Sequence, residues 1–416
     1  MKTLSASFEI VTPMFIGGSD QQTAQLRPSS LKGALRFWWR ALNWSRVCAL
    51  HGSDQNAALR QLHADESRLF GHAATDNSGG QGVFLMQVSD RTKSQEQPFG
   101  TGFDTGILYL LGQGLGKGSF KDGKHRTERE ALTIGGSFDL RLLFRPGISQ
   151  GDIASVVQAV QAFGLLGSLG SRARHGLGSV ALTRLSSEGL DLPAWIVPTT
   201  VAAYRSALTA LLADARRAPG LPPLSAFSAE SRLDLSMQRS GKEAAVKLLN
   251  EIGEKQQLYR SYGRKNPRTG KHEVSSGDEA EQNFKADHDL VLNASQDKTV
   301  TKAPQRAVFG LPHNYYFSSG AKVGINYTTL NHEGKLEDQR RASPLLLHIH
   351  RFSDDRAVAV HTLLCACFLP GARPDVTIKL GKDLVIGKPP VTVDWSVLTR
   401  YLDRFQPLSP ADWATL

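Results

Sequence analysis

The sequence has few cysteines and lacks a long apolar run. Its three cysteines, Cys48, Cys365 and Cys367, are too few for a disulfide framework, which favours a reducing compartment. No CxxC pair is present, so we expect no structural zinc site and no other metal. A membrane span would need about 18 consecutive apolar residues, and none is found. The opening MKTLSASFEI has no signal-peptide core, so we expect a cytoplasmic protein.

Charge is biased towards the basic side. The 416 residues hold 49 Lys and Arg against 39 Asp and Glu, a net charge of +10. With 40% hydrophobic and 21% charged residues, the chain has the composition of a globular protein of two or three domains. The excess of positive charge favours an anionic partner, with nucleic acid ahead of a membrane surface.

One stretch lacks acidic residues altogether, from Gln21 to Ser53. Within it, Pro28 followed by Ser29 and Ser30 predicts a helix start, with a serine hydroxyl as the cap. One predicted helix face is apolar and consists of Leu31, Leu35, Trp38 and Leu42. A second face carries Lys32, Arg36 and Arg40, which repel one another at that spacing. The helix suits a polyanion, and the alternative is an amphipathic helix with a solvated basic face.

A glycine-rich loop is the second informative motif. It runs from Gly164 to Gly178, with arginines at 172 and 174 and a histidine at 175. Glycines permit close backbone approach, and successive free N–H groups can form an anion nest. The alternative is a turn that only packs a helix against a sheet. No Walker sequence GxxxxGK[ST] occurs, and we expect no nucleotide or other cofactor.

The order of predicted elements places these two motifs together. Strands are predicted at 3–11, 81–90, 137–145 and 178–185, and helices at about 28–50 and 152–167, the second capped by Asp152. This β-α-β-β-α-β order is the ferredoxin-like split unit. In that fold, the glycine-rich loop, Gly17-Gly18 and the start of the basic helix converge on one anionic ligand.

The remaining segments complete a two-domain α+β prediction. We expect an N-terminal domain at 1–190, with an insertion at 91–136, and a C-terminal domain at 191–416. In the second domain, helices are predicted at 199–217, 242–260 and 395–405, and strand-like runs at 306–312, 314–319, 343–352 and 358–370. Residues 263–303 are polar and are predicted to be a mobile loop.

Several histidines are candidates for chemistry. His348 and His350 fall on one strand face, where a shared metal is possible but no third ligand is evident. His51, His63, His72 and His175 are candidate general bases for metal-free RNA cleavage. Trp39 lies off the apolar stripe, where it could reach a partner subunit or a base.

The motifs TPMFIGG at 12–18 and RPSSLKGALRFWWRAL at 27–42 resemble the N-terminal signature of the RAMP superfamily of CRISPR proteins. The double tryptophan is similar to the family of subunit one of the Cmr (type III-B) effector complex. GSLGSRARHGLGSV at 167–180 resembles the glycine-rich loop of the superfamily, and RRASPLLLHIHRF at 340–352 a segment of a second RAMP domain.

The resemblance implies two ferredoxin-like RAMP domains and a non-catalytic subunit that holds the 3′ region of the crRNA and the paired target RNA. The implied partners are these RNAs and the neighbouring RAMP subunits, with no membrane. The alternatives are a metal-independent CRISPR-transcript endoribonuclease, with His175 as its base, and a purely architectural subunit. The expected RNA-binding residues are Gly17, Gly18, Arg27, Ser29, Ser30, Lys32, Gly33, Arg36, Arg40, Gly170, Ser171, Arg172, Arg174, His175 and Gly176.

Overall fold

The computed structural model describes residues 2–18, 20, 23–75, 78–118, 124–331, 333–370 and 374–405. The helices are α1 (Pro28–His51), α2 (Gln55–Phe70), α3 (Thr105–Leu111), α4 (Gln150–Leu166), α5 (Val201–Leu212), α6 (Ala244–Arg260), α7 (Lys285–Asp297) and α8 (Ser396–Leu402). The first ten strands are β1 (Lys2–Ile10), β2 (Gly71–Thr75), β3 (Ser78–Gln81), β4 (Phe84–Asp90), β5 (Ser94–Gln95), β6 (Gly116–Lys117), β7 (Arg126–Thr127), β8 (Ala131–Leu132), β9 (Ser137–Phe144) and β10 (Val180–Glu188). The other strands are β11 (Arg232–Arg239), β12 (Arg264–Lys265), β13 (His272–Glu273), β14 (His313–Tyr316), β15 (Lys322–Leu330), β16 (Leu336–Gln339), β17 (Leu345–Arg351), β18 (Ala357–Leu363), β19 (Thr377–Leu380) and β20 (Leu384–Gly387).

The first sheet has the strand order β10-β1-β9-β4 with antiparallel pairs. Strands β1, β4, β9 and β10 are strands 1 to 4 of the split unit, so their spatial order is 4-1-3-2. The predicted ferredoxin-like arrangement is therefore confirmed. Alternate side chains of β1 enter the core, among them Leu4, Phe8 and Ile10. Helices α1 and α4 pack on each other and on this sheet. The loops that follow β1 and α4 are thereby brought to one end of the sheet.

Two predicted helix caps are wrong. Arg27 is the N-cap of α1 and makes no capping hydrogen bond with its side chain, because a guanidinium has no acceptor for a backbone N–H. Ser29 and Ser30 therefore lie inside the helix. In α4 the cap is Ser149, whose hydroxyl accepts a hydrogen bond from the backbone N–H of Asp152 at 3.1 Å.

The chain divides into two compact units whose limits differ from the expected division at 190/191. The larger unit holds residues 1–253 and 346–364, and the smaller holds 254–345 and 365–405. Strands β17 and β18 belong to the larger unit because they join β11 in a sheet of order β11-β18-β17. Leu346, Val358 and Val360 from these strands share one apolar core with the first sheet. Residues 406–416 of the expected C-terminal domain lie outside the described part.

The sheet β11-β18-β17 repeats part of the first sheet. The chain order β11, α6, β17, β18 corresponds to β-α-β-β, and the spatial order corresponds to strands 1, 3 and 2 of the split unit. A fourth strand does not join it within the residues described, because after β18 the chain enters the smaller unit. The helix predicted at 242–260 is confirmed as α6, whereas β11 was missed by the sequence analysis.

The smaller unit is built on the sheet β14-β15-β19-β20, with β16 added to β15. Its core includes Val291 and Ala294 of α7. The prediction of a mobile loop over 263–303 is wrong, because this range holds β12, β13 and α7. The prediction of a strand-like run at 306–312 is also wrong, since Gln305–Phe309 forms a 3-10 helix.

The insertion 91–136 contains α3 and β5–β8, and its residues 119–123 lie outside the described part. Within the larger unit, the insertion contacts α6 through α3, where the Ile107 N–H donates to the Asn250 side-chain oxygen at 3.2 Å. None of the helices in the described ranges is long and apolar enough to cross a membrane.

Candidate nucleic-acid interface

Helix α1 buries the apolar stripe that its sequence predicts. Leu31 and Leu35 are fully buried, and Trp38 and Leu42 are 2% and 7% exposed. The stripe is therefore confirmed as part of the core.

Trp39 is buried as well, so the prediction that it reaches a partner or a base is wrong. Its indole N–H donates to the Ser155 hydroxyl at 3.0 Å, and its ring meets Phe70 edge-on. The reason is that α1 packs against both α2 and α4, so more than one of its faces is covered.

The basic face of α1 is held by a carboxylate from α2. The Arg36 Nε and the Arg40 Nη1 both donate to the same oxygen of Glu66, each at 2.5 Å. Glu66 is only 3% exposed, whereas the two arginine side chains are about a third exposed. The stripe is thus a pair of arginines compensated by one carboxylate, with Lys32 as a further cation beside it. Sequence reasoning missed Glu66 because it lies 26 and 30 residues away from its partners.

Lys32 is the cation of this face without a carboxylate partner among the described residues. Partial burial, and then the positive charge of Arg36, lower the pKa of the Lys32 ammonium. Both causes disfavour the charged form of Lys32. An anion bound beside Lys32 would favour the charged ammonium and would raise the pKa of Lys32 again.

The start of α1 forms one wall of a cleft of about 440 Å³. The opposite wall comes from the hairpin of β2 and β3 and from the edge strand β4. The lining residues are Pro28, Ser29, Lys32, Arg36, Gly71, His72, Ala73, Gly80, Gln81, Gly82, Phe84, Leu85 and Met86. The structure therefore brings three predicted residues, Ser29, Lys32 and Arg36, together in one open site.

The chemistry of this cleft suits a phosphate with an apolar neighbour. The first turn of α1 carries no acidic residue, so the positive end of the helix dipole is uncompensated there. The Arg36 Nη1 lies 3.4 Å from the Gly71 carbonyl oxygen and fixes the guanidinium against the opposite wall. Leu85 is 52% exposed and offers an apolar surface beside these charges.

His72, Gln81 and Glu66 complete the site beyond the predicted set. His72 is exposed and was among the histidines considered for acid–base chemistry, but the sequence gave no sign that it lies opposite Lys32. Its position depends on the turn from α2 into β2 at Gly71, a long-range consequence of how α2 packs on α1.

The glycine-rich loop packs against the loop that follows β1, as predicted. The Ser171 N–H donates to the Phe15 carbonyl at 2.7 Å, and the Gly178 N–H donates to the Pro13 carbonyl at 2.9 Å. Gly170 has a φ of 96°, and a Cβ at this position would lie 2.6 Å from the Phe15 oxygen. Only glycine fits such an approach.

The predicted anion nest is wrong for much of this loop. The N–H groups of Leu169, Ser171, His175 and Gly178 all donate to backbone carbonyls. The loop is therefore first a packed junction, which was the alternative to a ligand-binding nest. Gly17 and Gly18 likewise make backbone contacts: Gly17 forms a β-bridge with Ala24, and the Gly18 N–H donates to the Thr23 carbonyl at 2.8 Å.

The two arginines and the histidine of the loop lie against different neighbours. Arg172 is exposed and donates to the carbonyls of Leu111 and Gln113 in the insertion, at 3.0 and 3.3 Å. The Arg174 guanidinium lies 5.5 Å from the centre of the Phe37 ring on α1. His175 is half-buried and forms a bridge with Leu347 of β17. The Arg174 side chain thus contacts α1 at Phe37.

The remaining predicted residues have simple positions. Arg27 and Gly33 are exposed on α1 or at its start, Ser30 is half-buried, and Gly176 is buried against Leu347. Arg40 does not line the cleft but joins it through Glu66. Whether any of these residues binds RNA stays a prediction.

His348 and His350 belong to the core of the larger unit. The His348 Nδ1 donates to the Gly167 carbonyl at 2.9 Å, and burial lowers the pKa of His348 to about 3. His350 stacks on Tyr204 with 4.2 Å between the ring centres. Across the described ranges, no three His, Cys, Asp or Glu side chains are grouped closely enough to hold a metal ion.

Comparison with solved structures gives matches along nearly the whole chain at low identity. Cmr1 from Pyrococcus furiosus, in a crystal structure of its apo form, is 18% identical, with 96% of this chain and 97% of that chain covered and a TM-score of 0.49. A chain of a type III-B Cmr-beta complex bound to cognate target RNA, solved by cryo-EM, is 10% identical, with 97% and 98% covered and a TM-score of 0.46. A search of curated proteins finds no match.

A family model identifies the part of the chain that carries the site. The model of the RAMP superfamily matches residues 7–181. This range begins in β1, ends at the start of β10, and includes α1, the cleft and the glycine-rich loop. The match to the RAMP superfamily model therefore covers the range that contains the candidate site.

Proposed function

We propose that this protein is a non-catalytic RNA-binding subunit of a type III-B CRISPR (Cmr) RNA-guided effector complex in the cytoplasm. In this role it holds the 3′ region of the crRNA and the paired target RNA, next to neighbouring RAMP subunits. The proposal is supported by the double-tryptophan signature at 27–42 within the range that matches the RAMP superfamily model.

The observation that carries the proposal is the cleft at the start of α1. Lys32, Arg36 and His72 line it together, at a helix end whose dipole and cations favour an anion. Contacts of this kind bind the phosphates of a nucleic acid with little dependence on sequence. Glu66 holds Arg36 in place before any ligand arrives, which reduces the entropy lost on binding.

The test is the double variant K32A/R36A, measured by RNA binding over a range of salt concentrations. We expect about ten-fold weaker binding of single-stranded RNA, with the slope of log affinity against log salt reduced by about 1.4, because each lost phosphate contact on a single strand contributes about 0.7. The matched control is R60A/K247A, which removes two exposed cations of the same unit outside the cleft. Equal affinity and slope in the two double variants would contradict the assignment.

Two further readouts separate the alternatives. Normal RNA binding by K32A/R36A, combined with loss of binding to neighbouring subunits, would favour an architectural role for the basic helix. RNA incubated with the protein in EDTA should remain intact. Site-specific cleavage that His175→Ala abolishes would instead make the protein a nuclease.

A further inference from the structure

A strongly basic hairpin lies in the smaller unit, outside the range 7–181 that matches the RAMP superfamily model. Strands β12 and β13 form it, and residues 263–272, GRKNPRTGKH, contain four cations and no acidic residue. Arg264, Lys265 and Arg268 are exposed, and none of them forms an ion pair with any residue in the described ranges. Lys271 is the exception, because its ammonium meets Glu279 at 2.7 Å.

The carboxylate of Glu273 supports the turn and forms no ion pair with the hairpin arginines among the described residues. Glu273 lies opposite Arg264 in the strand register, but its two oxygens accept hydrogen bonds from Asn266 at 2.7 Å and Thr269 at 2.9 Å. These hydrogen bonds, with that of Asn266 the larger cause, lower the pKa of Glu273 and keep it ionised.

The turn at the tip is ordered by its own backbone. The Gly270 N–H donates to the Asn266 carbonyl at 2.8 Å, and the Asn266 N–H donates to the Lys271 carbonyl at 2.8 Å. The Asn266 side-chain oxygen accepts from the Arg268 N–H at 2.9 Å. Arg268 is thus presented from a fixed position, although residues of this composition alone would be expected to move.

Aromatic rings lie at the base of the same hairpin. Tyr262 stacks on His288 with 3.7 Å between the ring centres and 7° between the planes. His272 meets the edge of Tyr262 at 4.5 Å. All three rings are half-buried. Cations along a ribbon with aromatic rings beside them are the combination with which proteins bind single-stranded nucleic acid, since the cations meet phosphates and the rings stack on bases.

We propose that the hairpin of β12 and β13 is a second binding site for single-stranded RNA, with Arg264, Lys265 and Arg268 on the phosphates and the rings around Tyr262 beside the bases. Guanidinium groups suit this role because two N–H groups of one arginine can donate to one phosphate. The inference rests on the proposed function, since it assigns a further contact to the same class of ligand.

The test compares two triple variants of the full-length protein that lose the same charge. R264Q/K265Q/R268Q removes the hairpin cations, and K298Q/K382Q/K388Q removes three other exposed lysines of the smaller unit. The probe is a fluorescently labelled single-stranded RNA of mixed sequence, titrated at several salt concentrations. We expect the hairpin variant to bind the RNA about ten-fold more weakly, with the slope of log affinity against log salt reduced by about 2. The lysine control should show a clearly smaller change in both quantities.

The outcomes distinguish this inference from the proposed function. Weaker binding by K32A/R36A with unchanged binding by R264Q/K265Q/R268Q would overturn the hairpin site alone. Unchanged binding by both would overturn the proposed function as well. Unchanged RNA affinity with loss of the hairpin variant from the assembled complex would assign the hairpin to an acidic protein surface and overturn the RNA site. As an independent readout, a 4-thiouridine-containing RNA should crosslink to the peptide 262–272 on irradiation, and absence of this crosslink would contradict the proposal.

Discussion

The basic face of α1 and the hairpin of β12 and β13 differ in how their charge is held. On α1, two arginines share a buried carboxylate that comes from another helix. On the hairpin, the exposed arginines form no ion pair with a carboxylate in the part of the chain that the structure describes, and Glu273 supports the turn instead. The first site is held in place by tertiary structure and the second by local hydrogen bonds. Removal of the supporting carboxylate should therefore have a global effect in one region and a local effect in the other.

The largest expected effect is that of Glu66→Ala. It leaves Arg36 and Arg40 facing each other beside the core without their shared partner, and breaking one side of a buried ion pair typically costs about 3–5 kcal/mol. Because both arginines are about a third exposed, we expect the lower end, about 3 kcal/mol, in the free energy of unfolding by urea. Asp65→Asn on the same helix is the control. The Asp65 carboxylate lies 3.3 Å from the guanidinium of Arg46, whose side chain is half-exposed. We therefore expect a loss below about 1 kcal/mol in the free energy of unfolding. Equal losses would contradict a structural role for Glu66.

A smaller and local effect is expected for Glu273→Ala. The free energy of unfolding should change by no more than about 0.5 kcal/mol, since the residue lies on a surface hairpin. The turn should nevertheless loosen, because Asn266 and Thr269 lose their acceptor. Hydrogen exchange should then show faster exchange of the Gly270 and Lys271 amides, by about ten-fold. A global loss of stability, or unchanged exchange at the turn, would remove the contrast between the two regions.

The same contrast explains how much the sequence could predict. Strand and helix periodicity predicted the split unit and the buried stripe of α1, because these depend on neighbouring residues. The fold also placed the glycine-rich loop beside the loop that follows β1, as expected. Glu66 and His72 reach the site through the packing of α2 on α1, which no local pattern encodes.

For the hairpin of β12 and β13, the sequence prediction was wrong because local interactions create order that the composition does not indicate. Its composition predicted mobility, since residues 263–303 contain few large apolar groups. The order comes from polar interactions instead, namely an asparagine, a threonine and a glutamate arranged around one tight turn. The prediction that Trp39 is exposed failed for a third reason. Its position off the apolar stripe suggested exposure, but a second helix covers that side of α1.

The most direct measurement is photocrosslinking of the guide-loaded complex, with 4-thiouridine in the crRNA and in the target RNA, followed by mass spectrometry of this chain. We expect crosslinked peptides from the cleft, at 28–36 and 71–82, and from the hairpin, at 262–272. Crosslinks that fall only on neighbouring subunits, with none in either region, would contradict RNA binding by this protein.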